Sequence, residues 1–295
     1  MKFLVLTLYC GEGEFERCKS SVQKQKGVDV QQVIFSNMGN VEAHEALYRR
    51  IMEERDNFDL FIKLDADMVL SRDTALDEIA DYFRREIELD HLVLPVFDWP
   101  SRQQVQGITV FGRRVRWAFP LNPLSPDSNP IRVGKKRVIP TLATELVRHM
   151  QAPTREQCYL YGFHKGLKIA QRGGFLDRPS LAITHYAALL RVRDIFLSEE
   201  GVSRALILNG ARDAIRSRVA TMKRKSSVEK NVSENTSLPD ELILSRAKRY
   251  WHPRSAWFTY FYTRFIVSAI MRGKIRKFLG LTLGKQPRIP AQSPL

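Results

Sequence analysis

Short apolar segments alternate with amphipathic segments over about the first hundred residues, and this alternation limits the folds open to the chain. The pattern predicts strands at 2–8, 28–36, 59–70 and 91–97, with helices between them at 14–25, 41–55 and 75–88. Such a β-α-β-α-β succession is typical of a mostly parallel sheet flanked by helices. Ligands of open sheets of this kind bind beyond the carboxyl ends of the strands. We therefore expect an α/β, Rossmann-like fold with its site at those strand ends.

The rest of the chain has a different character. Residues 106–119 predict a hairpin or strand pair, and residues 120–136 predict a long loop. A helix is predicted from Thr154 to Gln171, followed by further helical sequence that ends near residue 220. Residues 221–239 are rich in serine and asparagine and nearly free of apolar side chains, as is typical of a linker. We therefore expect a catalytic domain at 1–220, this linker, and a tail at 240–295.

Length and cysteine content restrict the class of protein. A chain of 295 residues with 44% hydrophobic residues has enough apolar sequence for one large domain, alone or with an appendage. Cys10, Cys18 and Cys158 are odd in number and form no C-x-x-C pair, so neither a disulfide framework nor a zinc motif is indicated. The first apolar run is too short for a signal peptide and reads as a first core strand. These features favour a cytoplasmic location.

Positive charge is concentrated at the carboxyl end of the sequence. The net charge is +15, and residues 241–295 hold eleven Lys or Arg against the single acid Glu241. The remainder is therefore nearly neutral, which weakens a nucleic-acid-binding interpretation based on the overall charge. A local anionic partner, either membrane lipid or an acidic polymer, is favoured.

Aromatic and basic residues are interleaved in that tail. Ala256 to Met271 is short for a membrane-spanning helix and is interrupted by Arg264. The composition fits a segment that lies among lipid headgroups, which would place the protein peripherally at the inner face of the cell membrane. A helical hairpin packed on the catalytic domain is the structural alternative. Single-stranded nucleic acid would also suit the composition, but no nucleic-acid-binding motif accompanies it, so no nucleic-acid partner is expected.

Two carboxylates interrupt the third predicted strand, in the stretch FIKLDADMVL. Asp65 and Asp67 are one residue apart, so in a strand their side chains point to the same side. Like charges held this close repel, and a divalent cation relieves the repulsion. Hard oxygen ligands suit Mg²⁺ or Mn²⁺. The alternative without a functional role is a solvent-exposed strand end at which the aspartates form a turn.

The segment FIKLDADMVL, after an N-terminal strand that runs into TLYCGEGEFERCKSSV, resembles the D-x-D region of GT-A glycosyltransferases, close to glycosyltransferase family 2. The resemblance covers roughly residues 1 to 190 and is strongest over 1 to 115. It implies a metal-dependent transfer of sugar from a nucleotide-sugar, with a UDP-sugar as the expected donor. Asp65 and Asp67 would hold the metal, and Asp65 would also contact the ribose.

The resemblance also implies a nucleoside pocket built from the first two strand ends. Carried over by position, its residues are Thr7, Tyr9, Glu12, Ser36 and Asn37. The aspartate usual in the family at the second strand end is missing. His44, within the helix predicted at 41–55, is a further candidate for the nucleotide site.

Other roles fall on later residues. Members of this family often recruit a later histidine or aspartate to the metal, and His185 in LAITHYAAL is our candidate, with His164 as a rival. An inverting reaction needs a carboxylate base, for which Glu156 and Asp98 are candidates. The family's acidic pair is Glu156-Gln157 here, so its second acid is replaced, and inversion and retention stay open.

These observations predict a glycosyltransferase that acts on a glycan or a lipid-linked acceptor, most consistent with cell-envelope polysaccharide synthesis. A sugar-nucleotide nucleotidyltransferase is a second enzymatic alternative, although TLYCGEGEFER carries acids where that class has early basic residues. The alternative from another class is a non-catalytic nucleic-acid- or membrane-binding protein whose aspartate pair is structural.

Overall fold

The structure is a computed structural model that describes residues 1–121, 130–131, 133–170, 179–216, 232–267, 270–271 and 274, with the backbone alone at 179–181 and 265. The chain divides into two compact units, Met1–Thr154 and Arg155–Leu295. The sequence predicted a first domain that continues to residue 220. The division falls earlier because the helices after Thr154 enclose a hydrophobic core of their own.

The first unit contains eight strands and three helices in its described residues. The strands are β1 (Lys2–Tyr9), β2 (Asp29–Ser36), β3 (Leu60–Lys63), β4 (Met68–Leu70), β5 (Leu89–Asp98), β6 (Gln103–Gly112), β7 (Lys135–Val138) and β8 (Val147–His149). The helices are α1 (Phe15–Gln23), α2 (Asn40–Glu53) and α3 (Ala75–Arg85). Every element predicted before residue 98 is present, whereas β7 and β8 were not predicted.

The strands form one mixed sheet in the order β2-β1-β3-β6-β5-β8-β4, with β7 beside β5. β1 is parallel to β2 and β3, and β5 is parallel to β7 and β8. β6 is antiparallel to β3 and β5, and β4 is antiparallel to β8. The predicted α/β class is confirmed, but the mostly parallel arrangement is not. A tight turn at 99–102 joins β5 to β6, and a turn this short joins only antiparallel neighbours.

Alternate side chains of β1 point to opposite faces of the sheet, and both faces are covered. Phe3 and Val5 belong to the core that includes residues of α1 and α3. Leu4 and Leu6 belong to the core on the other face, where Tyr48 of α2 stacks on a tryptophan ring at 4.5 Å. Strands buried on both faces read as continuous apolar runs, which explains why the sequence predicts them well.

The strand predicted at 59–70 is broken at the two aspartates. Leu64 continues the line of β3 by donating its N–H to the Leu6 carbonyl, and the Ala66 N–H reaches the Leu8 carbonyl at 3.1 Å. The Met68 N–H then turns back to the Asp65 carbonyl at 2.9 Å, after which β4 pairs with β8. The aspartates therefore occupy a turn at the carboxyl end of β3 and not the middle of a strand.

The second unit is helical in its described residues. Its elements are α4 (Arg155–Ala170), α5 (Pro179–Glu199), α6 (Val202–Arg216), α7 (Asp240–Trp251), α8 (Ala256–Phe261) and a π-helical turn (Tyr262–Val267). Helices α4 and α6 are in direct backbone contact at Gly210. A larger residue would not fit there, because its Cβ would lie 2.1 Å from the Tyr159 carbonyl oxygen. None of the helices in the described part of the chain combines the length and hydropathy needed to cross a bilayer.

The start of the predicted tail belongs to the core of the second unit. Trp251 is fully buried and donates its indole N–H to the Leu208 carbonyl at 2.9 Å. Asn209 donates its side-chain amide to the Ile243 carbonyl at 3.1 Å, and Phe261 is also fully buried. The sequence predicted that few core contacts cross residue 237, and this prediction is wrong. Residues 217–231, which include 221–231 of the predicted linker, and residues 275–295 of the tail lie outside the described residues.

Candidate active site

Asp65 and Asp67 lie where β3 ends, at the same edge of the sheet as the carboxyl ends of β1 and β2. The parallel registers pair Leu6 with Lys63 and Tyr9 with Ser36. The carboxyl ends of β1, β2 and β3 therefore lie at the same edge of the sheet. The side chains of Asp65 and Asp67 are 35% and 20% exposed. Both carboxylates are therefore partly desolvated and partly exposed to solvent.

Asp65 is paired with Lys63, the last residue of β3. The Lys63 ammonium lies 3.0 Å from one carboxylate oxygen and 3.2 Å from the other. The backbone follows the line of β3 through Leu64 and Ala66, so the side chains of Lys63 and Asp65, two residues apart, point to the same side. Lys63 itself is buried. Its position inside an apolar run, two residues before an aspartate, is a sequence signal that our reading of the motif did not use.

His149 joins Asp67 to Asp98. The imidazole Nε2 lies 3.2 Å from an Asp67 oxygen, and Nδ1 lies 2.8 Å from an Asp98 oxygen. Asp98 is fully buried and accepts two further hydrogen bonds, from the Ser101 backbone N–H at 3.1 Å and from the Ser101 hydroxyl. A connected polar chain therefore runs from the surface carboxylate of Asp67 into the interior.

The short strand β8 fixes the imidazole. Its last residue, His149, pairs with Met68 of β4 on one side and with Asp98 of β5 on the other. The Met150 N–H donates to the Asp67 carbonyl at 3.0 Å, and Met150 adopts a positive φ of 53°. The Trp99 N–H donates to the His149 carbonyl at 3.2 Å. Backbone on three sides thus holds this histidine against the aspartates.

The neighbouring carboxylates keep the imidazole charged. Burial disfavours the protonated form, but the carboxylates of Asp67 and Asp98 outweigh burial and raise the pKa of His149 to about 10. The histidine is therefore an imidazolium at neutral pH in this arrangement. Asp67 consequently has a cationic partner, just as Asp65 has one in Lys63.

Negative charge nevertheless exceeds positive charge around this turn. Burial raises the pKa of Glu12, and the nearby carboxylates of Asp67 and Asp65 raise it further, against a hydrogen bond from the Cys10 N–H. The pKa of Glu14 is raised in the same way, by burial and by Asp67. Four acidic residues thus surround one edge of the sheet. Such a cluster attracts cations.

The loop after β1 offers an aromatic surface next to this cluster. Tyr9 stacks on Phe15 with ring centroids 4.2 Å apart, and Gly11 takes a φ of 101° that the loop requires. The Cys10 N–H donates to the Glu12 carboxylate at 2.7 Å, which tightens the turn. Tyr9 and Glu12, both predicted nucleoside contacts, are therefore half-exposed side chains of this loop.

The other candidate residues for the nucleoside pocket differ in how far their side chains are exposed to solvent. Ser36 and Asn37 are exposed at the end of β2, and Asn37 has a φ of 58°. Thr7 is fully buried, and its hydroxyl accepts a hydrogen bond from the Gln32 amide at 2.9 Å, so this side chain faces the neighbouring strand. His44 is buried in α2, with Nδ1 2.7 Å from the Asn40 carbonyl.

The remaining candidates lie in the second unit. His185 is in the middle of α5 and does not follow a strand, contrary to the prediction. Burial and the lysines at 165 and 168 lower the pKa of His185 to about 3, and its Nε2 has no hydrogen-bond partner among the described residues. Cationic surroundings do not favour a metal ligand. The rival His164 lies on α4, and Glu156 is exposed in the first turn of that helix.

The sequence predicted Asp65 and Asp67 as metal ligands and Asp98 as a candidate base, but it missed His149, which contacts both Asp67 and Asp98. Within the described ranges, no three His, Cys, Asp or Glu side chains converge in a ready-made metal site. In this arrangement Lys63 contacts Asp65 and His149 contacts Asp67. The sequence signal for His149 is weak, because only Leu146 and Val147 are apolar before it and Arg148 intervenes.

No protein-family model matches the sequence, and no curated protein matches it either. Among solved structures, the chain is similar to the crystal structure of A197 from STIV, with 16% identity and a TM-score of 0.31 over 38% of this chain and 65% of that chain. It is also similar to a glycosyltransferase involved in the glycosylation of the major capsid of PBCV-1, with 13% identity and a TM-score of 0.28 over 38% of this chain and 60% of that chain. The matched part spans less than two thirds of either structure, so function is argued here from the residues of the site.

Proposed function

We propose that this protein is a metal-dependent glycosyltransferase that moves a sugar from a nucleotide-sugar, with a UDP-sugar as the expected donor, to a glycan or lipid-linked acceptor in cell-envelope polysaccharide synthesis. The observation that carries the proposal is the aspartate pair at the carboxyl end of β3 with His149 Nε2 3.2 Å from Asp67. The likeness of FIKLDADMVL to the D-x-D region of GT-A glycosyltransferases supports the reaction class.

The side chains around the turn have the chemistry that Mn²⁺ or Mg²⁺ requires. Asp65 and Asp67 supply hard carboxylate oxygens. Burial raises the pKa of nearby Glu12, and these two carboxylates raise it further, so an added cation would be favoured here. His149 is oriented by Asp98 through Nδ1, which directs Nε2 towards Asp67, and loss of the Nε2 proton would make this nitrogen a ligand. A divalent ion held here would neutralise the charge that develops on the leaving diphosphate.

The protein's own residues would divide the remaining work. The Tyr9 and Phe15 rings provide a stacked surface for a base, and Ser36 and Asn37 present exposed polar groups for the nucleoside. Asp98, a candidate base from the sequence, is better suited to holding His149, because its carboxylate is buried and already accepts several hydrogen bonds. Glu156 stays our candidate for the base, as an exposed carboxylate.

Titration calorimetry with UDP, with and without Mn²⁺, tests the binding half of the proposal. We expect UDP binding that requires the metal, followed by slow hydrolysis of the cognate donor in a screen of nucleotide-sugars. Equal UDP affinity in Mn²⁺ and in EDTA would contradict the metal assignment. Complete absence of nucleotide binding under both conditions would contradict the transferase itself.

A second candidate function is a non-catalytic binding protein whose aspartates are structural. The observation that favours it is that both carboxylates already have cationic partners within the chain, Lys63 and His149. This candidate predicts no metal-dependent nucleotide binding and a clear loss of stability when Asp67 is neutralised. The calorimetric experiment, paired with a thermal melt of Asp67→Asn, separates the two.

We further propose that the residues after α7 attach the protein to an anionic membrane surface. Tyr260, Tyr262 and Met271 are exposed large side chains, at 53%, 43% and 53%, in a segment that also exposes Arg264 and Lys274. Aromatic and basic side chains on one exposed segment are typical of proteins that bind at lipid headgroups. Reduced binding of Tyr260→Ser/Tyr262→Ser to anionic vesicles is the expected result, and unchanged binding would contradict it.

A further inference from the structure

A basic cavity opens at the edge of the first unit's sheet that lies opposite to Asp65 and Asp67. The register pairs Leu60 with Gly112 at one end of β3 and Lys63 with Thr109 at the other, next to Asp65. The cavity, of about 620 Å³, is lined by residues that precede β3, follow β6 and lie at the starts of β5 and β7. It is therefore at the Leu60 end of β3. Its cationic lining consists of Arg55, Arg113, Arg114, Arg116 and Lys135, against three acidic residues.

Buried contacts fix the arginines at the cavity wall. Asp90 is almost fully buried and accepts hydrogen bonds from Arg114 Nε at 2.7 Å and from the Gly134 N–H at 2.8 Å. Arg113 is held by an ion pair with Asp59 and by a hydrogen bond from its Nε to the Phe58 carbonyl at 3.1 Å. Such anchoring lowers the ordering cost of binding an anion, and guanidinium groups bind phosphate oxygens in a bidentate manner.

The cationic groups remain accessible to a ligand. The side chains of Arg55, Arg114 and Lys135 are 43%, 56% and 52% exposed. Four of the five cations in the lining are guanidinium groups, while Arg113 and Lys135 are also paired with Asp59 and Glu86 just outside it. A phosphate-bearing anion is therefore the class of ligand that the cavity suits.

Two exposed isoleucines flank the arginines. Ile87 is 84% exposed, and its carbonyl accepts a hydrogen bond from Arg114 Nη2 at 3.0 Å. Ile131 is 53% exposed, and its N–H donates to the Arg116 carbonyl at 2.8 Å. A small soluble phosphate ligand would leave both apolar side chains in water, whereas a lipid surface would bury them while its headgroups meet the cations.

We propose that this cavity binds the phosphate of an anionic phospholipid, with Ile87 and Ile131 inserted into the headgroup layer. The site is separate from the proposed transfer site, since it lies at the other end of β3, and it involves no residue after Lys135. It therefore provides a membrane contact in the first unit that does not depend on the basic tail.

Co-sedimentation of the full chain with vesicles tests the proposal. The vesicles contain phosphatidylcholine alone or mixed with phosphatidylglycerol. Removal of a cation should weaken binding to the mixed vesicles about fivefold, so we expect a larger loss for Arg55→Gln/Lys135→Gln. Ile87→Ser/Ile131→Ser should weaken binding about tenfold per isoleucine, and Ile34→Ser, which alters an exposed isoleucine on β2, is the matched control.

Arg114 is left intact in these variants because its loss would leave the buried Asp90 carboxylate without this cationic partner. Arg55→Lys, which retains the charge, should bind vesicles nearly as well as the native chain, and thermal melts verify that each variant is folded. Native-like sedimentation of both double variants would overturn the proposal. Tight binding of soluble glycerol phosphate, or of a short RNA, together with unchanged vesicle binding by the isoleucine variant, would also overturn it and would assign the cavity to a soluble anion.

Discussion

The imidazole of His149 lies between two carboxylates, with Nε2 3.2 Å from Asp67 and Nδ1 2.8 Å from Asp98. Only one of these carboxylates is accessible, because Asp98 is fully buried whereas Asp67 is partly exposed. The buried carboxylate of Asp98 fixes the orientation of the imidazole ring. The partly exposed carboxylate of Asp67 can exchange its contact with the imidazole for a contact with a ligand. This asymmetry is what a ligand-binding histidine requires.

Neutralising Asp67 should remove metal-dependent nucleotide binding while the chain stays folded. Asp67→Asn keeps the size of the side chain but removes the charge that a divalent ion needs, so we expect transfer to fall by a factor on the order of 10²–10³. Mn²⁺ binding followed by electron paramagnetic resonance checks the ligand role directly. Native Mn²⁺ affinity and turnover in this variant would contradict the site assignment.

Asp98→Asn should weaken Mn²⁺ binding through His149, although Asp98 does not reach the aspartate pair itself. Loss of such a supporting carboxylate typically costs about 10–100-fold in metal affinity. His149→Gln should weaken Mn²⁺ binding at least as much. The matched control is His185→Gln, the histidine that the sequence favoured, and it should leave Mn²⁺ affinity unchanged. A larger loss of Mn²⁺ affinity in His185→Gln than in His149→Gln would contradict this prediction.

Lys63→Met should strengthen Mn²⁺ binding by the free protein. The lysine ammonium now neutralises Asp65 from 3.0 Å, and a metal ion must compete with it. Methionine keeps the apolar stem packed in the sheet and removes a buried charge, while Asp65 stays 35% exposed to water, so the melting temperature should change little. Lys63→Arg, which retains the charge, serves as the control. Weaker Mn²⁺ binding in Lys63→Met would exclude Asp65 as a ligand.

Removal of residues after Ser237 should destabilise the second unit. Trp251 and Phe261 would be lost from its core, and Trp251→Ala alone should cost about 3–5 kcal/mol of unfolding free energy. Tyr260→Ala, at an exposed position, should change the unfolding free energy by less than about 0.5 kcal/mol. Urea denaturation provides the measurement. A truncated chain as stable as the native one would show that α7 and α8 are dispensable.

Cysteine alkylation should report nucleotide binding at the loop after β1. Cys10 is exposed, whereas Cys18 and Cys158 are buried and burial raises their pKa values to about 12 and about 11. At neutral pH those two remain protonated thiols, and the thiolate is the reactive form. We expect one thiol to react in the native state and UDP with Mn²⁺ to slow that reaction. Labelling of Cys10→Ser at the same rate would refute the assignment.

The sequence by itself determined the α/β class of the first unit and the position of the aspartate pair. Strands such as β1 are buried on both faces, so they appear as continuous apolar runs, and the helices between them show a clear apolar face. Asp65 and Asp67 stand out because charge interrupts such a run. These are local patterns, and a local pattern can be read without knowledge of its partners.

The tertiary structure alone decided which histidine faces the aspartates, how β6 is oriented and where the aromatic side chains of α7 and α8 point. β8 has only three residues, too few for a period to be visible, and His149 reaches Asp67 only because β8 lies between β4 and β5. Trp251 and Phe261 looked suited to a membrane surface, yet the helices around them bury both rings. An apolar or polar side chain defines what kind of neighbour it needs, but strand pairing and helix packing between distant segments decide which neighbour it receives.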